Sequence, residues 1–268
     1  QIYSILYLCQ QNNINMFYLE NQDLSNKRVI IRVDLNVPLD KNCSVTDTTR
    51  IEACKETVNT VIKLGGSCVL ISRLGRPKGK EKTLSLKNII ETVSTVMDRP
   101  VLFHKDCIGR DAEKATLLLK PGQIILMENL RFYDDETEGG MTFAESLSKL
   151  GDVYVNDAFG TSHREHASTA LIAKFFPGKK FAGKLLQKEL EVINEIAEKG
   201  KKPVLAILGG AKVSSKLKIL YNLIHKVDKI IIGGGMAYTF IKAKGGNIGN
   251  SLFEDELITS AKEILKIA

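Results

Sequence analysis

The chain has 268 residues, a net charge of +7, 44% hydrophobic and 26% charged residues. No apolar run approaches the roughly 20 residues of a membrane-spanning helix. The five cysteines (Cys9, Cys43, Cys54, Cys68, Cys107) are scattered without a C-x-x-C pair, which argues against a disulfide framework or a zinc site.

Residues 1–15 mix Ile, Leu and Tyr with Gln and Asn and lack the basic start and small-residue cleavage site of a signal peptide. Met16 is expected to be the natural start, which leaves residues 1–16 as an extension outside the fold. The first strand is predicted over Arg28–Val37 and carries Asp34 and Asn36 at its end. A helix follows over Thr49–Leu64, with Arg50 at its opening. Strand Ser67–Ser72 runs into Ser72-Arg73-Leu74-Gly75-Arg76-Pro77, where Pro77 turns the chain out of helix. Next come a helix over Leu84–Met97, a strand over Val101–His104 and a helix over Gly109–Leu119. Strand Gln123–Leu130 then delivers Glu128, Asn129 and Arg131.

A helix over Thr142–Leu150 precedes strand Asp152–Asn156, which ends in Asn156-Asp157, a Gly160 turn, and Arg164 bracketed by His163 and His166. The spacing of His163 and His166 could suit a metal. No Cys or carboxylate constellation supports it, so they read as hydrogen-bonding loop residues. Gly183–Lys199 reads as one charged helix stopped by Gly200, with Pro203 close behind. Strand Pro203–Leu208, helix Val213–Val227, strand Lys229–Ile232 and a helix from Leu252 onward complete the chain. Two parallel strands make no stable sheet alone, and Ala261–Ala268 has no C-cap, so the chain is expected to be part of a longer protein.

Strands alternating with helices predict βαβ units and a mostly parallel sheet. Strands such as Val69-Leu70-Ile71 are apolar throughout, as expected when both sheet faces are covered. Open parallel sheets bind ligands at the carboxyl edge of their strands. Arg50, Arg73, Arg76, Arg131 and Arg164 are expected to converge there and to hold a small, strongly anionic molecule, because guanidinium groups bind carboxylate and phosphate oxygens in pairs. The net charge also suits nucleic acid, but aromatics are only 6% and Trp is absent. In the second half, Gly209-Gly210-Ala211-Lys212, with Lys216 one turn beyond, and Gly233-Gly234-Gly235 each follow a strand. Glycines there admit close backbone approach, and the lysines tilt the reading toward a nucleotide.

The blocks RVIIRVDLNVP (28–38), SRLGRPKG (72–79), ENLRF (128–132), VNDAFGTSHREHAS (155–168), GKLLQKEL (183–190), LGGAKVSSKL (208–217) and IIGGGMAYTF (231–240) resemble phosphoglycerate kinases in order and spacing. The resemblance implies an α/β fold: a Rossmann-like, three-layer parallel-sheet domain that binds 3-phosphoglycerate over 17–182, an interdomain helix over 183–200, and the start of a second Rossmann-like, nucleotide-binding domain over 201–268. It implies reversible phosphoryl transfer between 1,3-bisphosphoglycerate and ADP, giving 3-phosphoglycerate and ATP, in a cytoplasmic monomer. Asp34 and Asn36 would hold the glycerate. Arg50 would meet the transferring phosphoryl, with Arg73, Arg76, Arg131 and Arg164 around it. Gly210, Lys212, Lys216 and Gly234 would face the nucleotide phosphates, and Lys212 would support the transition state. Mg2+ would enter with ATP or ADP, its ligands expected in the family's last third and none within this chain. The alternative is a glycerate-binding fragment without turnover. Arg73 stands where the family usually has His, and Leu35 where it usually has Phe.

Overall fold

The structure is a computed structural model that describes residues 18–162, 164–199, 202–214 and 216–268. The extension over 1–16, His163 and the stop at Gly200 fall outside the described residues. The chain divides into two compact units, one through Glu189 and one from Leu190.

The first unit is built on six parallel strands: β1 (Arg28–Arg32), β2 (Ser67–Ile71), β3 (Val101–His104), β4 (Ile124–Met127), β5 (Val153–Asn156) and β6 (Lys180–Ala182), in the order β3-β4-β2-β1-β5-β6. Ile30 of the central β1 lies opposite Val69 of β2 and Tyr154 of β5. Successive strand residues point to opposite faces, and both faces are apolar. Val29, Ile31, Cys68, Leu70, Ile124, Leu126 and Val155 pack on α1 (Thr49–Lys63) and α2 (Ile90–Met97). Ile30, Val69, Ile71, Ile125, Met127 and Tyr154 pack on α3 (Arg110–Leu117), on α5 (Met141–Ser148) and on the π-helical turn Ala167–Leu171. Between β4 and α5 lie a 3-10 turn and one short α-helix, α4 (Asp135–Glu138). The result is the expected three-layer parallel sheet.

Several elements differ from expectation for local reasons. The first strand stops at Arg32, not Val37, because Asp34 Oδ1 accepts the Asn36 amide (3.2 Å), and a side chain that bonds its own backbone draws it out of the ladder. The fourth ends at Met127, since the side chain of Asn129 accepts the Arg131 amide and starts a 3-10 turn over Leu130–Phe132. The helix expected from Leu84 begins with two 3-10 turns and becomes α-helical only at Ile90. Strand β6 was not expected. It has three residues with lysine at its start, and its pairing with β5 is visible only in three dimensions.

Helix α6 (Lys184–Lys199) leads into the second unit, where β7 (Leu205–Gly209) and β8 (Lys229–Gly233) pair in parallel. Around them lie α7 (Leu217–Leu223), α8 (Met236–Ala243) and α9 (Ile258–Ile267). Helix α7 is shorter than the expected Val213–Val227. Helix α8 lacked a predicted range because its start merges with the glycine run. Leu208, Val213, Leu220, Met236, Phe240 and Ile264 form this unit's core. Ile230 and Ile232 pack against that core, whereas Leu205, Ile207 and Ile231 are at least half exposed, the two-residue period of a half-covered sheet. Among the described residues, no helix is long and apolar enough to cross a membrane.

Candidate functional site

At the carboxyl edge of the first sheet, buried side chains stitch three loops together. Ser72 Oγ donates to the Val33 carbonyl (2.8 Å) and accepts the Leu35 amide (2.8 Å). Asn36 Oδ1 accepts the Gly75 amide at 2.7 Å, which joins the loop after β1 to the loop after β2. Gly75 has φ +63°, and a Cβ there would lie 2.8 Å from Leu84 Cδ2, so glycine is required at this corner. Asn129 is fully buried and uses both ends of its amide. It accepts from the Leu74 (3.2 Å) and Arg131 (3.0 Å) amides and donates to the carbonyls of Leu74 and Leu84 (2.8 Å each). Glu128 accepts from Ser85 Oγ (2.6 Å) and from the Leu86 (2.8 Å) and Asn129 (2.7 Å) amides. Asn129 and Glu128 were legible as motif letters, but not as the pins of the arginine-bearing loops.

These loops bring the expected cations together. The charges of Arg131, Arg32 and Arg50 act on Arg73, and those of Arg164, Arg32 and Arg76 act on Arg131. Burial first, then these like charges, hold Arg73 and Arg131 below the usual guanidinium range, against the opposing pull of Asp34 on Arg73 and of Glu136 on Arg131. Both stay protonated at neutral pH, since arginine does not give up its proton in proteins. Their Nε groups are shielded from solvent and have no hydrogen-bond partner among the described residues. Donors without acceptors, within a cluster of like charge, suit an anionic ligand that supplies the acceptors. All seven expected ligand residues of this unit (Asp34, Asn36, Arg50, Arg73, Arg76, Arg131, Arg164) belong to this edge. Arg50 is here ion-paired with Asp34, so two residues expected to contact different parts of a ligand hold each other.

Beneath the cluster lies a buried charged network that the sequence did not reveal. Arg32 is fully buried in β1. Its Nε donates to Ser168 Oγ (3.0 Å) and its Nη1 to the Val33 carbonyl. Glu136 of α4, also fully buried, accepts from Ser168 Oγ (2.6 Å) and the Ser168 amide (2.9 Å). Tyr154 Oη donates to the Ser168 carbonyl at 2.9 Å. Every polar group of Ser168 is thus fixed, four residues after Arg164.

His166 departs from the expected hydrogen-bonding loop residue. It is buried, and its Nδ1 has no hydrogen-bond partner among the described residues, with Glu136 Oε1 at 3.9 Å. Burial and the charges of Arg131, Arg164, Arg32 and Arg73 push its pKa down to about 4. Asp157 is the opposite case. It accepts the Leu185 (3.0 Å) and Leu186 (3.2 Å) amides at the start of α6, yet burial outweighs those bonds and raises it to about 6.

The two groups give opposed pH dependences. As pH falls from His166's ordinary 6.5 to about 4, the unfolded chain takes up a proton that the folded chain refuses, and stability falls. As pH falls from about 6 to the ordinary 3.8 of Asp157, the folded chain takes up the proton first, and stability rises. Relative to the parent, His166→Gln should therefore lose less stability on acidification from pH 6.5 to 4.5, and Asp157→Asn should lose more. Each slope should change by up to about 1.4 kcal/mol per pH unit. Urea unfolding across that range measures both, and curves parallel to the parent's would contradict the assignment.

In the second unit the two glycine turns meet backbone to backbone. A Cβ at Gly234 (φ +68°) would lie 2.9 Å from the Gly210 carbonyl oxygen, and one at Gly235 3.0 Å from that of Ala211. The Met236 amide donates to the Gly210 carbonyl at 2.8 Å. The Lys216 stem crosses Gly210, its Cε 3.1 Å from where a Cβ would sit. Gly210, Lys212, Lys216 and Gly234 are thereby gathered at the carboxyl ends of β7 and β8. Among the described residues, no group of three or more His, Cys, Asp or Glu is placed to hold a metal ion.

A family model described as "Phosphoglycerate kinase" matches residues 19–268. The chain belongs to the phosphoglycerate kinase family. It is 48% identical over 250 residues to the phosphoglycerate kinase of Azorhizobium caulinodans, covering 93% of this chain and 62% of the relative. It is 49% identical over 246 residues to that of Campylobacter curvus, covering 91% and 62%. Among solved structures it is similar to the phosphoglycerate kinase of Coxiella burnetii, with a TM-score of 0.76, 39% identity, and coverage of 92% of this chain and 61% of that one. It is also similar to that of Pyrococcus horikoshii, with a TM-score of 0.77 and 30% identity. The chain spans about 62% of the length of these curated phosphoglycerate kinases.

Proposed function

We propose that the chain serves reversible phosphoryl transfer between 1,3-bisphosphoglycerate and ADP, giving 3-phosphoglycerate and ATP, a phosphotransferase reaction with a carboxyl group as acceptor in the reverse direction. The observation that carries this reading is the arginine cluster, gathered from successive strand ends at one sheet edge beside Asp34 and Asn36. Such a cluster matches a ligand bearing a carboxylate and phosphate. The first unit, about residues 17–182, would hold the glycerate through Asp34, Asn36, Arg73, Arg76, Arg131 and Arg164, with Arg50 directed at the transferring phosphoryl group. Residues 201–268 would hold nucleotide phosphates through Gly210, Lys212, Lys216 and Gly234, and the segment 183–200, which contains α6, would join the two.

The reaction needs no general base. An ADP phosphate oxygen attacks phosphorus, the carboxylate leaves, and the reverse nucleophile is an ionised carboxylate. Positioning and charge stabilisation suffice, and arginines, lysines and backbone amides supply both. Arg50 and Lys212 would offset charge on the phosphoryl oxygens during transfer. Mg2+ would arrive with ADP or ATP and neutralise phosphate charge. The lysines and glycine turns suit phosphate oxygens, whereas the described residues offer no carboxylate cluster for the metal. A cytoplasmic monomer fits this reading.

Calorimetric titration of the chain with 3-phosphoglycerate tests it. Binding at millimolar concentration or tighter, about 4 kcal/mol or more, is expected, together with a loss of affinity in Arg131→Ala. A folded chain that takes up no 3-phosphoglycerate would overturn the assignment of the first unit.

A further inference from the structure

Glu254 lies just before α9, 40 residues from the glycine turn after β7, yet its carboxylate is bonded to that turn. Its Oε2 accepts the Ser214 amide at 3.0 Å and its Oε1 accepts Ser214 Oγ at 2.5 Å. The Ser214 bonds, together with the Lys212 charge, outweigh the effect of burial and hold the carboxyl below its usual range, so it is ionised at neutral pH. Glu254 is itself tied down: its amide donates to Thr239 Oγ1 at 3.2 Å, and Thr239 is buried in α8, the helix that opens from the second glycine turn.

One residue therefore links both turns. Its side chain grips Ser214, two residues after Lys212, and its backbone hangs from the helix after Gly235. The turns meet closely through glycine and alanine backbone, with the Met236 amide on the Gly210 carbonyl. Glycine turns are conformationally loose on their own. The core holds Leu208 before the glycines and Val213 after Lys212, but not the turn between them. A carboxylate that accepts the Ser214 amide and hydroxyl restrains the far side of this turn with charge-assisted bonds, which are about twice as strong as neutral ones.

We infer that Glu254 is a positioning residue for the nucleotide site: by anchoring Ser214 it fixes the turn that presents Lys212 to a phosphate group. This rests on the reading of the second unit as nucleotide-binding. Glu254 would act through Lys212 and touch no ligand.

The test compares the parent chain with Glu254→Ala and Glu254→Gln by amide hydrogen exchange and by ADP titration. In Glu254→Ala, exchange at Ser214 should quicken at least about tenfold, the scale of a lost charge-assisted bond. Exchange in α8 and α9 should stay as in the parent, and ADP affinity should fall about tenfold. Glu254→Gln keeps one acceptor oxygen and should fall between the two. Unchanged exchange at Ser214 would overturn the proposal whatever ADP does. Loosening spread equally through α8, α9 and β8 would also overturn it, since that is the mark of a purely structural residue. Unchanged ADP affinity in Glu254→Ala would do the same. A parent chain that takes up no ADP at millimolar concentration would sink the nucleotide reading and the ligand role of Glu254 with it, while the exchange arm would still decide whether Glu254 anchors the turn.

Discussion

Glu136→Ala should destabilise the first unit by about 3–5 kcal/mol, the range seen when one member of a buried charged pair is removed. Glu136 is fully buried, and so is Arg32, and the two communicate through Ser168 Oγ. Truncating Glu136 removes the carboxylate that the buried Arg32 reaches through Ser168 Oγ. It also strips the Ser168 amide and hydroxyl of their acceptor. Each buried group left without a partner costs about 1–3 kcal/mol. Replacing both ends with apolar residues, as Arg32→Met with Glu136→Leu, should cost much less than the sum of the single changes, because the unpaired charge is then gone. Chemical unfolding of the singles and the double measures the coupling. Additive losses, or a Glu136→Ala variant within 1 kcal/mol of the parent, would mean that the network is not a coupled unit. Since the network fixes Ser168, it also sets where Arg164 and His166 stand.

The parts of this fold that were legible in the sequence are those set by local pattern. Val69-Leu70-Ile71 reads as a strand covered on both faces because each residue must be apolar to lie in a three-layer core, and it is buried on both sides. The arginines were legible as a cluster because parallel strands bring the loops that follow them to one edge. What stayed hidden depends on partners far away in the chain. Arg32 sits within an apolar run, and its partner Ser168 lies 136 residues on. Glu136 belongs to the run Asp134-Asp135-Glu136-Thr137-Glu138, which reads as solvated surface charge; only the fold turns that one carboxylate inward. Strand β6 begins with a lysine and exists because β5 offers it an edge. Glu254 stands in an exposed, acidic stretch, and nothing near it in sequence points to Ser214. A charged residue inside an apolar strand was the one available warning, and Arg32 carried it.

Arg50→Ala should leave stability nearly intact and strongly reduce the rate. Arg50 is half exposed and ion-paired with Asp34. An exposed ion pair contributes about 0–1 kcal/mol. Its position argues against a role in holding α1 together: it is the second residue of the helix, where the helix dipole disfavours a cation. The capping there is done by Asp47, whose Oδ1 accepts the Thr49 amide at 2.8 Å. A guanidinium at an unfavourable helix start, beside Asp34 and within the field of Arg73, suits the proposed role towards a ligand's charge better than a role in the helix. In an enzyme that carries this chain with the further length of its relatives, Arg50→Ala should lower kcat by at least about a hundredfold, the loss expected for one preorganised charge stabiliser. Its unfolding free energy should stay within about 0.5 kcal/mol, as for a surface substitution. Arg50→Lys should recover part of the rate, since it restores the charge but not the paired donors. A change confined to KM would instead mark Arg50 as a residue that binds ground state and transition state alike. On this reading Asp34 would take a definite place in the sequence of events: it pairs with Arg50, and a phosphoryl group would have to compete with that half-exposed pair to claim the guanidinium.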